Sequence, residues 1–224
     1  MAYRLVIGNK NTSSWSLRPW LAMRQAGITF SEINIDLRAA DAKAQILRHS
    51  PSGKVPALLV DDPAAGGLVV WDTLAILEYL AERHAEAALW PAHVGARAHA
   101  RSVSAEMHSG FQALREHCPM HFVARAPRAL LPDAVAADVR RIVHLWRDCR
   151  RTFGGSGAYL FGAFTAADAM YAPVASRLRT YVPDLAAYGD DDGTAAAYVA
   201  TLFAHPAMAE WEAGARAEVA GAAR

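Results

Sequence analysis

The spacing of apolar residues divides this chain of 224 residues into two parts with different secondary structure. In the first part, short apolar runs and one alternating segment, Ile28–Asp36, stand between stretches with the spacing of helices. Alternation with a period of two is typical of a strand with one buried face. After Trp90-Pro91 no strand pattern returns. The sequence therefore predicts an α/β domain over residues 1–84 and an all-α domain over residues 92–224.

The first part is expected to have the element order β-α-β-α-β-β-α. Its predicted strands are rich in apolar residues and comprise Tyr3–Ile7, Ile28–Asp36, Ala57–Val60 and Leu68–Trp71. The first helix ends at Gly27, and two more are predicted over Ala39–Arg48 and Thr73–His84. Asp61–Gly67 is rich in turn-forming residues, so we expect the last two strands to form a hairpin. This order resembles that of a thioredoxin-like domain.

Apolar stripes with helical spacing predict long helices in the second part. The residues of these two stripes are Val103, Met107, Phe111 and Leu114, and then Val135, Val139, Ile142, Trp146, Cys149 and Phe153. Further along, Thr165-Ala166-Ala167-Asp168 has the pattern of a capping box variant, in which both polar side chains satisfy amides at a helix start. As a cap alone, Asp168 would contribute about 0.5–2 kcal/mol to stability.

The charge balance argues against several classes of partner. The formal net charge is +1 at pH 7 and the basic residues are scattered, so nothing favours nucleic acid or a membrane surface. The start at Met1-Ala2-Tyr3-Arg4 lacks the apolar core of a signal peptide. No apolar run approaches the ~20 residues of a membrane span. We therefore expect a cytoplasmic protein without nucleic-acid or membrane partners.

The two cysteines give no indication of a metal or redox site. Cys118 and Cys149 have neither the spacing of metal ligands nor that of a redox pair. Thiols of cytosolic proteins are usually reduced. We interpret both cysteines as packing residues, and we expect no metal cofactor.

The segment Ser13-Ser14-Trp15-Ser16-Leu17-Arg18 lies between the first strand and the first helix, where an anion can be held. A helix N-terminus offers unpaired N–H donors and about half a positive charge, worth roughly 0.3–1 kcal/mol to an anion. One added hydroxyl hydrogen bond would shift a thiol of pKa near ~8.5 toward the nucleophilic thiolate. Ser13 is the first candidate for that donor and Ser14 the second. The alternative is that these serines cap the helix, with Pro19 in or near its first turn.

Two further segments complete a resemblance to a known family: Val55-Pro56 just before a strand, and Asp72-Thr73 at a helix start. With the serine segment and the capping box, their order and spacing resemble the cytosolic glutathione transferase family. The resemblance covers essentially the whole chain and implies a thioredoxin-like domain followed by an all-helical one. The serine segment is similar to the Ser-Ser-Cys-Ser-x-Arg segment of zeta-class transferases, which include maleylacetoacetate isomerases. Here Trp15 replaces the cysteine.

The resemblance implies a glutathione site in the first domain. Val55 would precede a cis proline and pair with the cysteinyl backbone of glutathione, and such a cis bond costs only about 0.5–1 kcal/mol. Lys54 would meet the glycyl carboxylate, and Asp72 and Thr73 would hold the γ-glutamyl end. Ser13 would take the thiolate-activating role.

The resemblance also implies an electrophile pocket between the domains. Trp15 would form its first wall, and His108 and Phe111, one turn apart on the predicted helix, its second. For Phe111, simple core packing is an equally open interpretation. Arg115 would lie on the same side as Phe111 by i,i+4 spacing, where it would meet an acidic substrate or a helix carboxylate.

The activity implied is conjugation of the glutathione thiolate to a small apolar electrophile, with glutathione as co-substrate. We expect a symmetric homodimer, the commonest assembly. Two alternatives remain open. One is glutathione-dependent cis-trans isomerisation of the maleylacetoacetate type, and the other is a non-catalytic ligand-binding or regulatory protein, since fold does not fix function.

Overall fold

A computed structural model describes residues 2–62 and 66–222, and within them it has one four-stranded sheet. The strands are β1 (Ala2–Ile7), β2 (Ser31–Asn34), β3 (Ala57–Asp61) and β4 (Leu68–Trp71). Their order is β2-β1-β3-β4, with β1 parallel to β2 and antiparallel to β3, and with β3 antiparallel to β4. In the register, Leu5 lies opposite Glu32 on one side and Leu58 on the other.

Helices cover both faces of the sheet and make up the rest of the fold. The first three are α1 (Ser14–Gln25), α2 (Ala42–Leu47) and α3 (Thr73–Arg83). The helices after the sheet are α4 (Val94–Ser109), α5 (Gln112–His117), α6 (Asp133–Phe153), α7 (Ala166–Tyr181), α8 (Thr194–Ala204) and α9 (Pro206–Ala222). The predicted fold class, a thioredoxin-like α/β domain followed by an all-α domain, is confirmed.

Two elements of the first domain are shorter than predicted: β2, and α2, which spans Ala42–Leu47 and not Ala39–Arg48. The pairing of β2 with β1 ends at Asn34, although the Ile35 N–H still donates to the Ile7 carbonyl at 2.9 Å. Ile28 and Ile35, at the two ends of the alternating segment, are buried in separate apolar clusters. The antiparallel pairing of β3 with β4 confirms the hairpin. Part of its predicted turn, residues 63–65, lies outside the described residues.

The predicted helix through Val103 and Leu114 is wrong, because it is interrupted at Gly110-Phe111. Phe111 has a φ of 55°, in the left-handed region that a non-glycine residue rarely adopts. A Cβ at Gly110 would lie 2.7 Å from the Glu106 carbonyl oxygen, which is too close for any side chain. The apolar spacing continues across the break because the residues on both sides enter the same core.

One apolar core joins the α/β part to the helical part, and α1 lies inside it. α1 packs against β1 and α3 on one side and against α7 and α9 on the other. At the α9 contact, the rings of Trp20 and Trp211 meet edge to face with centroids 5.0 Å apart. Because elements of both domains pack against α1, the position of this helix is fixed by both domains. A smaller cluster, including Val6, Ile35 and Ile46, covers the other face of the sheet.

The last helix is tied to the loop before α1. The two carboxylate oxygens of Glu218 accept from the backbone N–H groups of Lys10 (2.7 Å) and Asn11 (3.0 Å). The indole Nε1 of Trp211 donates to the Lys10 carbonyl at 2.8 Å. The Asn11 carbonyl in turn accepts from the Phe122 N–H at 3.0 Å. The loop that precedes the serine segment is therefore held by elements far along the chain.

The predicted capping box is present at the start of α7. The buried Asp168 carboxylate accepts from the backbone N–H groups of Leu160 and Thr165, and from the hydroxyls of Thr165 and Tyr198, over 2.7–3.1 Å. Burial raises the pKa of Asp168 to about 6, although each of these hydrogen bonds opposes the rise. Asp168 thus joins α7, α8 and the segment before α7, which is more than a local cap does.

Both cysteines are buried and unbridged, in agreement with their interpretation as packing residues. Burial raises the pKa of the Cys149 thiol to about 12 and also raises that of Cys118. Neither is therefore a thiolate at neutral pH.

Over the described ranges, none of the helices combines the length and the apolar character that crossing a membrane requires.

Candidate active site

A cavity of about 420 Å³ opens where the sheet domain meets α4 and α5. Its lining residues come from the start of α1, the turn before β3, the start of α3 and the α4-α5 region; they are Trp15, Ser52, Lys54, Val55, Pro56, Trp71, Asp72, Thr73, His108 and Arg115. The fold thus brings together most of the site residues predicted from the sequence. Ser13, Ser14 and Phe111 are not among the lining residues.

The turn before β3 has the geometry expected from the sequence. The Val55-Pro56 peptide bond is cis, as predicted. Pro56 is buried and Val55 is half-buried, so the turn presents the Val55 backbone beside the cavity. Lys54 is exposed at the same edge, and its backbone N–H donates to Ser52 Oγ at 3.2 Å.

A proline inside α1 links this helix to α3. Pro19 lies beyond the first turn of α1, which begins at Ser14. Because proline has no N–H, the carbonyl four residues earlier, that of Trp15, receives no helical hydrogen bond. The hydroxyl of the buried Thr73 donates to this carbonyl at 3.2 Å. Thr73 therefore fixes the starts of the two helices relative to each other.

Asp72 begins α3 and connects it to the helical domain. Its Oδ1 accepts from the Leu74 N–H at 2.9 Å and caps the helix. Its Oδ2 lies 3.3 Å from Nε2 of His108 on α4. The φ of Asp72 is 76°, and backbone conformations of this kind cost about 1–3 kcal/mol and cluster at functional sites. The arrangement holds a carboxylate at the cavity beside the N-terminus of α3.

The two candidate serines have different partners. Ser13 Oγ lies 2.7 Å from Ser16 Oγ, which also accepts from the Gly8 N–H at 3.0 Å. Ser13 precedes α1 but its side chain makes no capping hydrogen bond. Ser14 Oγ accepts from an Nη2 of Arg177 at 3.4 Å. Both serines are buried. They directly precede Trp15, which lines the cavity.

Cationic side chains surround Trp15. The guanidinium carbons of Arg18 and Arg115 lie 4.1 Å and 5.0 Å from its ring centroid, and the His108 ring meets it edge to face.

Arg18 is buried, and burial together with the charges of Arg177 and Arg115 lowers its pKa well below the usual value. Arg18 donates to the carbonyls of Ser14 and Met170 at 2.9 Å. Positive charge therefore accumulates beside the start of α1.

The structure separates Phe111 from the predicted pocket wall. Its side chain is buried in the core, and the break before α5 removes it from the helix that carries His108. Arg115 does line the cavity, but its place on α5 and not on α4 is what brings it there. The spacing argument that joined Phe111 to His108 fails because it assumed one uninterrupted helix. Phe111 and Arg115 lie on the same side of the break, where the Arg115 N–H donates to the Phe111 carbonyl at 3.1 Å.

Sequence reasoning missed three residues near the site. Ser16 was recognisable only as part of the serine segment, and Trp71 only as the end of a strand. Arg177 lies among apolar and small residues of α7, two residues before Arg179, and nothing in that pattern marks it as a site residue. Its proximity to Ser14 arises from the packing of α1 against α7.

No group of three or more potential metal ligands of the His, Cys, Asp or Glu type occurs in the part of the chain that the structure describes. The cavity instead offers a cis-proline turn, a helix N-terminus, a carboxylate and several cations.

Comparison with known proteins places the first domain in a family. Residues 12–83 match the glutathione S-transferase N-terminal domain. A probable maleylacetoacetate isomerase of Caenorhabditis elegans is 35% identical over 105 residues, which are 47% of this chain and 46% of that protein. The chain thus matches only about half the length of its curated relatives.

Two solved structures show the same fold over nearly the whole chain. A glutathione transferase homologue from Burkholderia, with bound glutathione, has a TM-score of 0.68 and 21% identity, covering 96% of this chain and 98% of its own. A sphingomonad glutathione S-transferase complexed with glutathione has a TM-score of 0.60 and 26% identity, covering 96% and 98%. Residues 12–83 thus match a glutathione S-transferase N-terminal domain, and nearly the whole chain shares the fold of these glutathione transferase structures.

Proposed function

We propose that this protein is a glutathione transferase that joins the thiolate of glutathione to a small electrophile in the cavity between the two domains. One observation carries the proposal. Three segments far apart in sequence, the start of α1, the cis Val55-Pro56 turn and the start of α3, meet at a cavity closed by residues of the helical domain.

Each end of glutathione has a matching group in this proposal. The Val55 backbone pairs with the cysteinyl backbone, and Lys54 meets the glycyl carboxylate. The N-terminus of α3 with Thr73 receives the γ-glutamyl carboxylate, because first-turn amides and the helix dipole favour an anion there. Asp72 meets the ammonium group of the same residue. Each charge of the tripeptide thus faces a group of the opposite sign.

The chemical role of the protein in this proposal is to hold a thiolate next to the electrophile. The hydroxyl of Ser13 or of Ser14 donates to the sulfur, and the positive charge around Trp15 favours its anionic form. A bound thiolate beside a bound electrophile reacts as an intramolecular pair, and that proximity is the main source of rate. Trp15, His108 and Arg115 form the side of the cavity available to the electrophile.

A second candidate is glutathione-dependent cis-trans isomerisation. The match to a maleylacetoacetate isomerase over about half of that protein favours it. The bulky indole of Trp15 stands where the zeta-class motif has a small cysteine, so the space beside the sulfur is shaped differently. Conjugation is therefore our first choice.

Calorimetric titration with glutathione, followed by a substrate screen, tests the proposal. We expect glutathione to bind and a halonitroaromatic electrophile to be conjugated. Turnover of a maleylacetoacetate-type diene without conjugation would favour the isomerase, and binding without turnover of any electrophile or peroxide would favour a non-catalytic protein. Absence of glutathione binding would refute the proposal.

Alanine substitution of the two serines separately tests thiolate activation. Adjacent residues at a helix start point in directions about 100° apart. We therefore expect only one of Ser13→Ala and Ser14→Ala to raise the pKa of bound glutathione, by about one unit, and to lower kcat/KM about tenfold. Affinity for an analogue without sulfur should stay unchanged in both. If both variants keep the wild-type thiol titration, the serine mechanism is wrong.

The remaining proposal concerns assembly. We propose a symmetric homodimer, since two-fold dimers are the commonest assembly of soluble proteins. Light scattering should give twice the mass of the 24.1 kDa chain at micromolar concentration. A monomer mass under those conditions would contradict it.

A further inference from the structure

Arg177 on α7 is a buried cation that has no role so far. Only 7% of its surface is exposed, and its Nε has no hydrogen-bond partner. Within residues 2–62 and 66–222, Arg177 takes part in no ion pair, and its one hydrogen bond is the contact with Ser14 Oγ. An unpaired buried charge is costly, and proteins tend to keep such groups at functional sites.

The neighbours of Arg177 increase the positive charge instead of cancelling it. Burial, followed by the charge of Arg115, lowers the pKa of Arg177 to about 10, so it is still protonated at neutral pH. Arg18 on α1 is close enough for its own pKa to be lowered by Arg177. The other titratable groups that act on Arg177 are Cys118 and Tyr181, both neutral at pH 7 because their pKa values are raised. No carboxylate is therefore among the charges that act on Arg177, whereas Asp72 at the cavity acts on Arg18.

The hydrogen-bond partners distinguish the two serines. A serine hydroxyl has one proton to donate and two lone pairs with which to accept. Since Arg177 is a donor only, Ser14 must accept in this contact, and its own proton is left for another acceptor. Ser13, in contrast, has the Ser16 hydroxyl as its partner, and either of these two hydroxyls can be the donor. Ser14 is thus the serine whose proton is directed by a cation.

We propose that Arg177 is a positioning residue that orients and polarises the Ser14 hydroxyl toward the sulfur of glutathione, so that Ser14 is the hydroxyl that holds the thiolate. This proposal rests on the proposed function. A donor hydroxyl that itself accepts from a cation is a stronger donor.

The test is the titration of the thiol in the glutathione complex, followed by thiolate ultraviolet absorbance. We expect Arg177→Met to raise the pKa of the bound thiol by about one unit, a tenfold loss of thiolate below that pKa. Arg177→Lys keeps the charge and should show a smaller shift. Arg179→Met is the matched control on the same helix, because Arg179 pairs with Glu212 and the Phe122 carbonyl, away from the serines. The pKa of the glutathione thiol bound to Arg179→Met should equal that of the thiol bound to the wild type.

Double variants show whether Arg177 acts through Ser14. In a Ser14→Ala background, Arg177→Met should cause no further shift, whereas in a Ser13→Ala background the full shift should persist. An unchanged thiol pKa in Arg177→Met, or an equal shift in both serine backgrounds, overturns the proposal. Should the methionine variant fail to fold, Arg177→Gln decides by the same criteria, with binding of a sulfur-free analogue as the check on the site. Failure of the wild type to bind glutathione refutes the proposed function, a result separate from these.

Discussion

Asp168→Ala is expected to lower the free energy of unfolding by about 3 kcal/mol or more, several times the effect of losing an ordinary helix cap. The carboxylate, on α7, is completely buried and accepts from four donors, three in the segment before α7 and one on α8. Alanine leaves all four donors without a partner, and each unsatisfied buried group costs about 1–3 kcal/mol before relaxation. Denaturant unfolding at pH 7 measures the difference.

Asp192→Ala is the matched control, because Asp192 is an exposed aspartate that accepts from the Thr194 N–H at the start of α8. It should cost no more than about 1 kcal/mol. Equal losses in the two variants would show that the buried network adds nothing to the cap.

The same carboxylate predicts a pH dependence of stability. Burial raises the pKa of Asp168 from 3.8 to about 6, so between these values the folded protein binds the proton more tightly than the unfolded chain does. Its contribution to stability is then complete below pH about 4, declines as the pH rises to about 6, and is constant above that. The loss caused by Asp168→Ala should accordingly be larger at pH 4 than at pH 7. A loss that grows as the pH rises would contradict the raised pKa.

Trp211→Ala is expected to have the second large effect, a loss of about 3–5 kcal/mol in the free energy of unfolding. Trp211 is completely buried, packs against Trp20 and donates to the Lys10 carbonyl at 2.8 Å. Its removal opens a cavity between α9 and α1 and leaves that carbonyl without its partner. Chemical denaturation is again the measurement.

Two further tryptophan variants separate ring packing from the hydrogen bond. Trp211→Phe keeps an aromatic ring and loses the donor, so it should cost clearly less than the alanine variant. Trp71→Ala removes an indole that is 47% exposed, and its effect on stability should stay below about 1 kcal/mol. If Trp211→Ala lowers the free energy of unfolding no more than Trp71→Ala does, packing of α9 against the core does not stabilise the protein as expected.

The fold could largely be predicted from local patterns, and its one clear error has a local cause. The order of strands and helices follows from the spacing of apolar residues, because the buried face of each element must be apolar. The break at Gly110-Phe111 left no trace in the apolar spacing, because α5 returns its buried residues to the same core. The glycine was visible in the sequence. That Phe111 takes a left-handed conformation was not, since phenylalanine has no preference for it.

Site residues could be predicted from the sequence only where their geometry depends on neighbouring residues in the same segment. The Val55-Pro56 turn and the Asp72-Thr73 helix start are local features, and the structure has both. The Thr73 contact with Trp15 depends on the carbonyl that Pro19 leaves unbonded, and the Arg177 contact depends on two helices 163 residues apart. Neither follows from spacing, because both are products of tertiary packing.

The hydrogen bonds from the Lys10 and Asn11 amides to Glu218 affect the order in which the protein folds during synthesis. A ribosome releases the chain from its N-terminus at about 5–20 residues per second, so the loop beside the serines emerges well before α9. Until α9 has left the exit tunnel, the two amides and the Lys10 carbonyl lack the partners that fix them. The nascent first domain can form its sheet, but the serine loop reaches its final geometry only after α9 has been translated.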